Sequence, residues 1–226
     1  MIYARPPIPG QVKTRMQPRL GPDQAAQLYT AMLCDLIERA RAALAGVADC
    51  IISWSGPHTP QEELADLARG MASATQQGDD LGERMGRSLQ ETFQQGRRRV
   101  VIIGSDSPTL PSSYLHRALD ALTRADIVLG PAMDGGYYLM GARRLHLTLL
   151  RGIPWSTPRV LELTRRRIRK EAIPCEELPP WHDVDTWEDV VRLSEELDHM
   201  KAKRSPDLPR RTLAVVTGLQ RAGLLS

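Results

Sequence analysis

The hydrophobic pattern of the chain alternates between two periods. Val100-Val-Ile-Ile103 is an unbroken β-branched run, which suits a strand covered on both faces, as in a parallel sheet. Similar runs stand at Asp126–Gly130 and Tyr137–Gly141, with weaker ones at Asp49–Trp54, Met71–Gln76 and, as a late edge strand, Ile173–Leu178. Met1–Ala4 is the stub of a first strand. Between the runs, apolar residues recur three and four apart, the spacing of amphipathic helices. The longest such stretch is Pro22–Leu44, where Leu28, Met32, Leu36, Ala40 and Ala43 form a seam that Cys34 lies off. Thr59-Pro-Gln-Glu62 is a capping box with proline at N1 and opens a helix to about Arg69. Further helices are expected from an Asp79 or Asp80 cap to about Gln95 and from Ser112 or Ser113 to about Thr123. Another starts at Trp155-Ser-Thr-Pro158, with Thr157 as cap and Pro158 at N1, and one runs from Trp187 to about His199, capped by Asp185 or Thr186. Strands alternating with helices predict an α/β fold.

The connections after the strands carry the candidate chemistry. Gly104, Pro108 and Pro111 stop the Val100 run, so Asp106 sits just past the carboxyl end of a central strand. Ligands of open α/β sheets bind there. A carboxylate between Ser105 and Ser107 can hold a hard cation against a phosphate, or it can cap a turn. Arg5-Pro-Pro-Ile-Pro-Gly-Gln-Val-Lys-Thr-Arg15 combines three prolines, Gly10 and three cations. Proline stiffens such a loop and Gly10 lets its backbone approach a ligand. Arg5, Pro9, Gly10, Lys13 and Arg15 could therefore grip a polyphosphate, although neither GxxxxGK[ST] nor GxGxxG is present. A solvated basic turn is the other reading. Gln77, Asp80 and Arg84 could reach a base or sugar, or form an ordinary cap with an Asp80–Arg84 pair. Asp134-Gly135 is a strong hairpin signal. Asp134, Gly135 and Gly136 could also bind an acceptor, and the two roles are compatible. Asp185 can cap the next helix or serve as a second metal ligand. His182 reads as structural.

Composition excludes more than it selects. The 226 residues are 42% hydrophobic and 25% charged, ordinary for a globular protein. A net charge of +3 makes no case for nucleic acid, and Arg97–Arg99 and Arg165–Lys170 read as solvated faces. No apolar run is long enough for a membrane span, and no signal-peptide core is present. Three widely spaced cysteines make neither a disulfide framework nor a CxxC pair, which points to a cytoplasmic setting. No Ser/His/Asp or Cys/His set stands out. Residues 1–199 are expected to form the main domain, with 200–209 a linker and 210–226 a helical appendage. Leu213, Val216, Leu219 and Leu224 of that appendage can pack on the domain or on a second subunit, giving a homodimer.

Taken in order, PIPGQVKTR, QGDDLGERM, VVIIGSDSPTL, DIVLGPAMDGGYYLMG, IPWST and DVDTWEDV resemble the glycosyltransferase-A-like transferases known as radical-SAM/selenodomain-associated transferases. The resemblance covers roughly residues 1–198. The arrangement is more distantly similar to molybdopterin-guanine-dinucleotide and phospholactate guanylyltransferases and to sugar-acid cytidylyltransferases. It implies a three-layer sandwich around a mixed, mostly parallel sheet, the nucleotide-diphospho-sugar transferase fold. By position it implies Gly10, Lys13 and Arg15 as the phosphate loop, with Lys13, Arg15 and Asp106 catalytic. It further implies Asp106 and Asp185 as ligands of Mg²⁺ or Mn²⁺ and Asp134–Gly136 as the acceptor turn; Arg5, Pro9, Asp80, Arg84 and Ser105 stand beside them as candidate nucleotide contacts. The expected activity is transfer of a nucleotidyl group from a nucleoside triphosphate to a small phosphorylated acceptor, with pyrophosphate leaving. Glycosyl transfer from a nucleotide-sugar is the alternative, and a nucleotide-binding regulatory protein a second. Three departures stand out: the first strand is short, as in a truncated start; Met16 replaces Leu; and Trp187 replaces Pro beside Asp185.

Overall fold

In the computed structural model, which describes residues 1–56, 64, 66 and 68–225, the first strand is indeed short. β1 (Ile2–Ala4) nevertheless lies inside a seven-stranded sheet of order β3-β2-β1-β4-β6-β5-β7. The other strands are β2 (Ile51–Trp54), β3 (Ala72–Thr75), β4 (Val100–Ile103), β5 (Ile127–Pro131), β6 (Tyr137–Ala142) and β7 (Cys175–Glu177). β6 pairs antiparallel with both β4 and β5, and the remaining pairings are parallel. The sheet is therefore mixed and mostly parallel, as expected. β1 connects outward to β2, whereas β4 lies on its other side. The order thus reverses between β1 and β4, which makes their carboxyl ends the place for a ligand.

Period-two alternation sorts the strand residues onto two faces. Ile2, Ala4, Ile103 and Val128 face one side, where they pack with α1 (Gln17–Leu44) and α3 (Ser112–Ala121). Tyr3, Val100, Ile102, Ile127, Leu129 and Met140 face the other, against α2 (Leu81–Gln94) and α4 (Val160–Lys170). A third cluster joins the far side of α1 to α5 (Trp187–Ala202) and α6 (Arg210–Arg221).

That third cluster corrects the single-seam picture of α1. Leu36 and Ala40 face the sheet, whereas Leu28 and Met32 face α5 and α6. Cys34, set aside as lying off the seam, is fully buried in the sheet-side core. Gly21, at φ 73° and ψ 166°, interrupts the helical backbone, so Pro22 opens the long segment. The expected capping box at 59–62 lies outside the described residues. α4 begins at Val160 rather than Pro158, and the Thr157 hydroxyl donates to the Pro154 carbonyl instead of capping it.

α6 is fastened by a buried carboxylate. Asp35 of α1 accepts from the backbone N–H groups of Arg211 (3.1 Å) and Thr212 (2.7 Å) and from the Thr212 hydroxyl (2.7 Å). These are first-turn donors that the helix itself cannot satisfy. No helix among the described residues is long and apolar enough to cross a membrane.

Candidate functional site

The loop after β1 is stiffened from within. Gln11 N–H donates to the Ile8 carbonyl at 3.0 Å, and Val12 is buried in the sheet-side core. Lys13 has φ +48°, an uncommon conformation outside glycine. Its side chain turns inward and is only 4% exposed. There Nζ donates to Asp106 Oδ1 at 2.5 Å, to the Val184 carbonyl at 2.6 Å and to Asp185 Oδ1 at 2.8 Å. Three oxygens from two distant loops thus converge on one cation. Burial works against the ammonium charge, yet Asp106 and Asp185 outweigh it and the pKa of Lys13 stands raised.

Each oxygen is held by its own support. Tyr29 of α1 joins the ends of β1 and β4: its hydroxyl bonds Ser105 Oγ at 2.8 Å and accepts from Arg5 N–H at 2.9 Å. The buried Arg39 guanidinium donates to the carbonyls of Pro108 and Leu110, fixing the turn beyond Asp106. Val184 N–H donates to the Asp106 carbonyl at 2.8 Å, which docks the late segment onto that turn. Asp185 precedes a capping box in which Thr186 and Asp189 satisfy the first turn of α5. Trp187 leaves this cap intact and packs half-buried on the third core cluster. Asp183 accepts from the Ser107 hydroxyl at 2.5 Å. Burial, then the charge of Asp106, pushes its pKa up to about 7.

Opposite the loop stands the β5–β6 hairpin. Asp134 Oδ1 accepts from Gly136 N–H at 2.9 Å, closing the turn. Gly135 has φ +90°, and a Cβ there would lie 2.2 Å from the Pro158 carbonyl oxygen. Only glycine lets the hairpin seat on the 153–158 segment. On that segment Trp155 meets Tyr137 edge-on, with ring centroids 6.2 Å apart. The other side of Trp155 is pressed against Gly82 of α2, where a Cβ would lie 2.6 Å from Nε1.

Between the loop and the hairpin segment lies a cleft of about 560 Å³. Of the residues singled out from sequence, Arg5, Lys13, Arg15, Asp106, Asp134, Gly136 and Asp185 line it. Pro9, Gly10, Asp80, Arg84, Ser105 and Gly135 are not part of its lining. Ser105 serves Tyr29 and Gly135 serves hairpin packing. Of the two readings of this helix start, capping holds: Asp80 caps α2 through Glu83 N–H, while Arg84 donates to the Gly78 carbonyl rather than pairing with Asp80. His182 pairs with Glu196 at 2.9 Å and stacks on Trp181, a structural role as expected. Sequence reasoning missed Asp183, Tyr29, Tyr137 and Trp155 as lining residues. Only Asp183 carried a usable signal, since it stands two residues from Asp185 and neighbours at that spacing share a side in extended chain.

The family profile described as "Uncharacterized protein conserved in bacteria (DUF2064)" matches residues 37–157. The crystal structure of a provisionally named nucleotide-diphospho-sugar transferase from Desulfovibrio desulfuricans G20 is 33% identical, with a TM-score of 0.86. The alignment covers 97% of this chain and 94% of that one. The 2-phospho-L-lactate guanylyltransferase of Methanothermobacter thermautotrophicus is 30% identical over 125 residues, 55% of this chain and 53% of the relative. The chain thus spans about half the length of that curated relative. A cytidylyltransferase from Leptospira borgpetersenii, at 14% identity and a TM-score of 0.53, covers 98% of this chain and 93% of its own, a likeness of fold.

Proposed function

The chain belongs to the DUF2064 family and is a transferase of the nucleotide-diphospho-sugar transferase fold; from that premise we propose that it transfers a nucleotidyl group from a nucleoside triphosphate to a small acceptor, releasing pyrophosphate. One observation carries the reading: the Asp106, Asp185 and Val184 oxygens converge on a single cation at the sheet's switch point, beside two further cations. Those two, Arg5 and Arg15, make no side-chain hydrogen bond or ion pair among the described residues, so they are available to phosphate. The guanylyltransferase and cytidylyltransferase relatives favour the same reaction class.

The donor set fits a hard divalent cation. Among the described residues no group of three or more His, Cys, Asp or Glu side chains is arranged to hold a metal. Two carboxylates and a carbonyl, however, already surround an ammonium that stands in for such an ion. All three are oxygen donors, the preference of Mg²⁺ and Mn²⁺, which complete their shells with water and substrate phosphate. Asp106 and Asp185 would hold the ion, and when bound it would neutralise phosphate charge and polarise the phosphoryl oxygens. Arg5 and Arg15 orient the leaving phosphates, and Asp134 orients the acceptor across the cleft. Such chemistry works by positioning and electrostatics and needs no covalent nucleophile.

The test is a thermal-shift panel of nucleoside triphosphates and nucleotide-sugars, with and without Mg²⁺. A ligand at about 100 times its Kd adds roughly 2.7 kcal/mol of stability. A shift by one triphosphate that needs Mg²⁺ is the expected result, and no shift by any of them refutes it. A shift by nucleotide-sugars alone transfers the assignment to glycosyl transfer, the reading favoured by the name of the Desulfovibrio relative.

A further inference from the structure

Charge is segregated across the cleft. Its three lining cations, Arg5, Lys13 and Arg15, all come from the loop after β1. The facing wall, from Asp134 to Val160, contributes a carboxylate, the Tyr137–Trp155 ring pair, the hydroxyls of Ser156 and Thr157, and no lining cation among the described residues. Arg159, the exposed N-cap of α4, does not line it. Among the described residues Asp134 has no ion-pair partner; one of its oxygens accepts from Gly136 N–H. Asp106, Asp183 and Asp185 complete the charged and acidic lining among the described residues, so four carboxyl groups and three cations share the cleft before any substrate enters.

Substrate adds to the demand on those cations. A magnesium-complexed triphosphate brings further negative charge, and Arg5 and Arg15 are the cations free to meet it. Lys13, whose ammonium holds the position the metal would take between Asp106 and Asp185, belongs with them to the loop side of the cleft. No lining cation is left for a second anion on the Asp134 wall, where an unpaired charge would be desolvated beside carboxylates.

We infer that the acceptor is an uncharged hydroxyl compound of polyol or sugar type, with no phosphate or carboxylate of its own. This rests on the nucleotidyl-transfer reading. An apolar ring face or carbon edge packs on Trp155, and hydroxyls meet the Asp134 carboxylate and Thr157 Oγ1. In the reaction the acceptor hydroxyl oxygen bonds the α-phosphorus as the bond from that phosphorus to the α–β bridging oxygen breaks. The electron pair leaves on pyrophosphate, and the hydroxyl proton passes to solvent. The product is a phosphodiester with one phosphate. A phosphorylated acceptor would instead give a diphosphate.

The product-shaped probes are GMP-glycerol against GDP-glycerol, and CMP-glycerol against CDP-glycerol. Each is titrated calorimetrically into the full chain with Mg²⁺ and methylenediphosphonate, which fills the pyrophosphate side. The monophosphate ester of one base is expected to bind at least about tenfold tighter than its diphosphate counterpart. Asp134→Asn retains the Gly136 contact and should narrow that preference severalfold by admitting the diphosphate probe. Equal or tighter binding of the diphosphate probe overturns the inference while nucleotidyl transfer stands. An unchanged preference in Asp134→Asn overturns the placement of the acceptor. If neither member of either pair binds, the nucleotidyl-transfer reading falls and takes the inference with it.

Discussion

Replacing Lys13 by methionine keeps the side-chain length and removes the charge on which Asp106, Asp185 and the Val184 carbonyl converge. Removing one partner of a buried ion pair costs about 3–5 kcal/mol, whereas an exposed pair is worth roughly 0–1 kcal/mol. Lys13 is 4% exposed, but its carboxylate partners are 39% and 41% exposed and can regain water. An intermediate cost of about 2 kcal/mol follows. For a chain of this size that lowers Tm by roughly 4–8 °C. The two carboxylates are then left facing each other, and a divalent cation no longer competes with an ammonium for them. Mg²⁺ or Mn²⁺ without nucleotide should therefore raise the Tm of Lys13→Met by more than that of wild type. The assay is thermal unfolding of both proteins across a metal titration, with Lys13→Gln as the polar replicate. Equal metal-induced shifts in variant and wild type would refute the claim that lysine and metal share one position. A Tm for Lys13→Met equal to that of wild type would refute the magnitude.

Asp183 gives a pH signature. Between its ordinary value of 3.8 and its raised value of about 7, the folded chain keeps a proton that the unfolded chain has lost. This group's contribution to stability therefore falls as pH rises through that window. Asp183→Asn can still accept from Ser107 and should gain on wild type in Tm from acid to mildly alkaline pH; parallel curves would contradict the raised pKa. Asp35→Ala leaves the first turn of α6 uncapped inside the protein and should cost about 2–3 kcal/mol in denaturant unfolding. Gly82→Ala drives a Cβ to 2.3 Å from the Leu150 carbonyl and 2.6 Å from Trp155 Nε1. It should cost about 1–3 kcal/mol and displace Trp155, read as a change in tryptophan fluorescence.

Fold class could be read from the sequence because period-two and helical spacing alternate, and the core-facing residues of β1, β4 and β5 obey their period; β6 departs from it at Tyr137 and Tyr138, beside the irregularity in its pairing with β5. The role of α1 could not. A helix sandwiched between the sheet and two later helices is apolar on both sides, so the seam at Leu28, Met32, Leu36 and Ala40 divides between two clusters. The cleft was only partly legible. Asp106 followed from a strand end and two prolines, Lys13 from a stiff loop of prolines, glycine and cations, and Asp185 from its place before a helix, where the cap and ligand readings stood side by side. That these three meet at one point depends on contacts across 93 and 172 residues, which no local spacing encodes. Arg84 misled because a helix-start arginine can serve a neighbouring carboxylate or a loop carbonyl, and here Gly78 takes it. Trp155 and Tyr137 were invisible because their meeting depends on Gly135 seating the hairpin against Pro158.

The central claim is that Asp106 and Asp185 hold the cation that brings a nucleotide's phosphates into the cleft. It is tested most directly by calorimetric titration of the triphosphate selected by thermal shift, with and without Mg²⁺, into wild type, Asp106→Asn and Asp185→Asn. The account predicts Mg²⁺-dependent binding in wild type that is lost or weakened by at least about tenfold in both variants. Equal affinity in all three proteins, or binding indifferent to Mg²⁺, would contradict it.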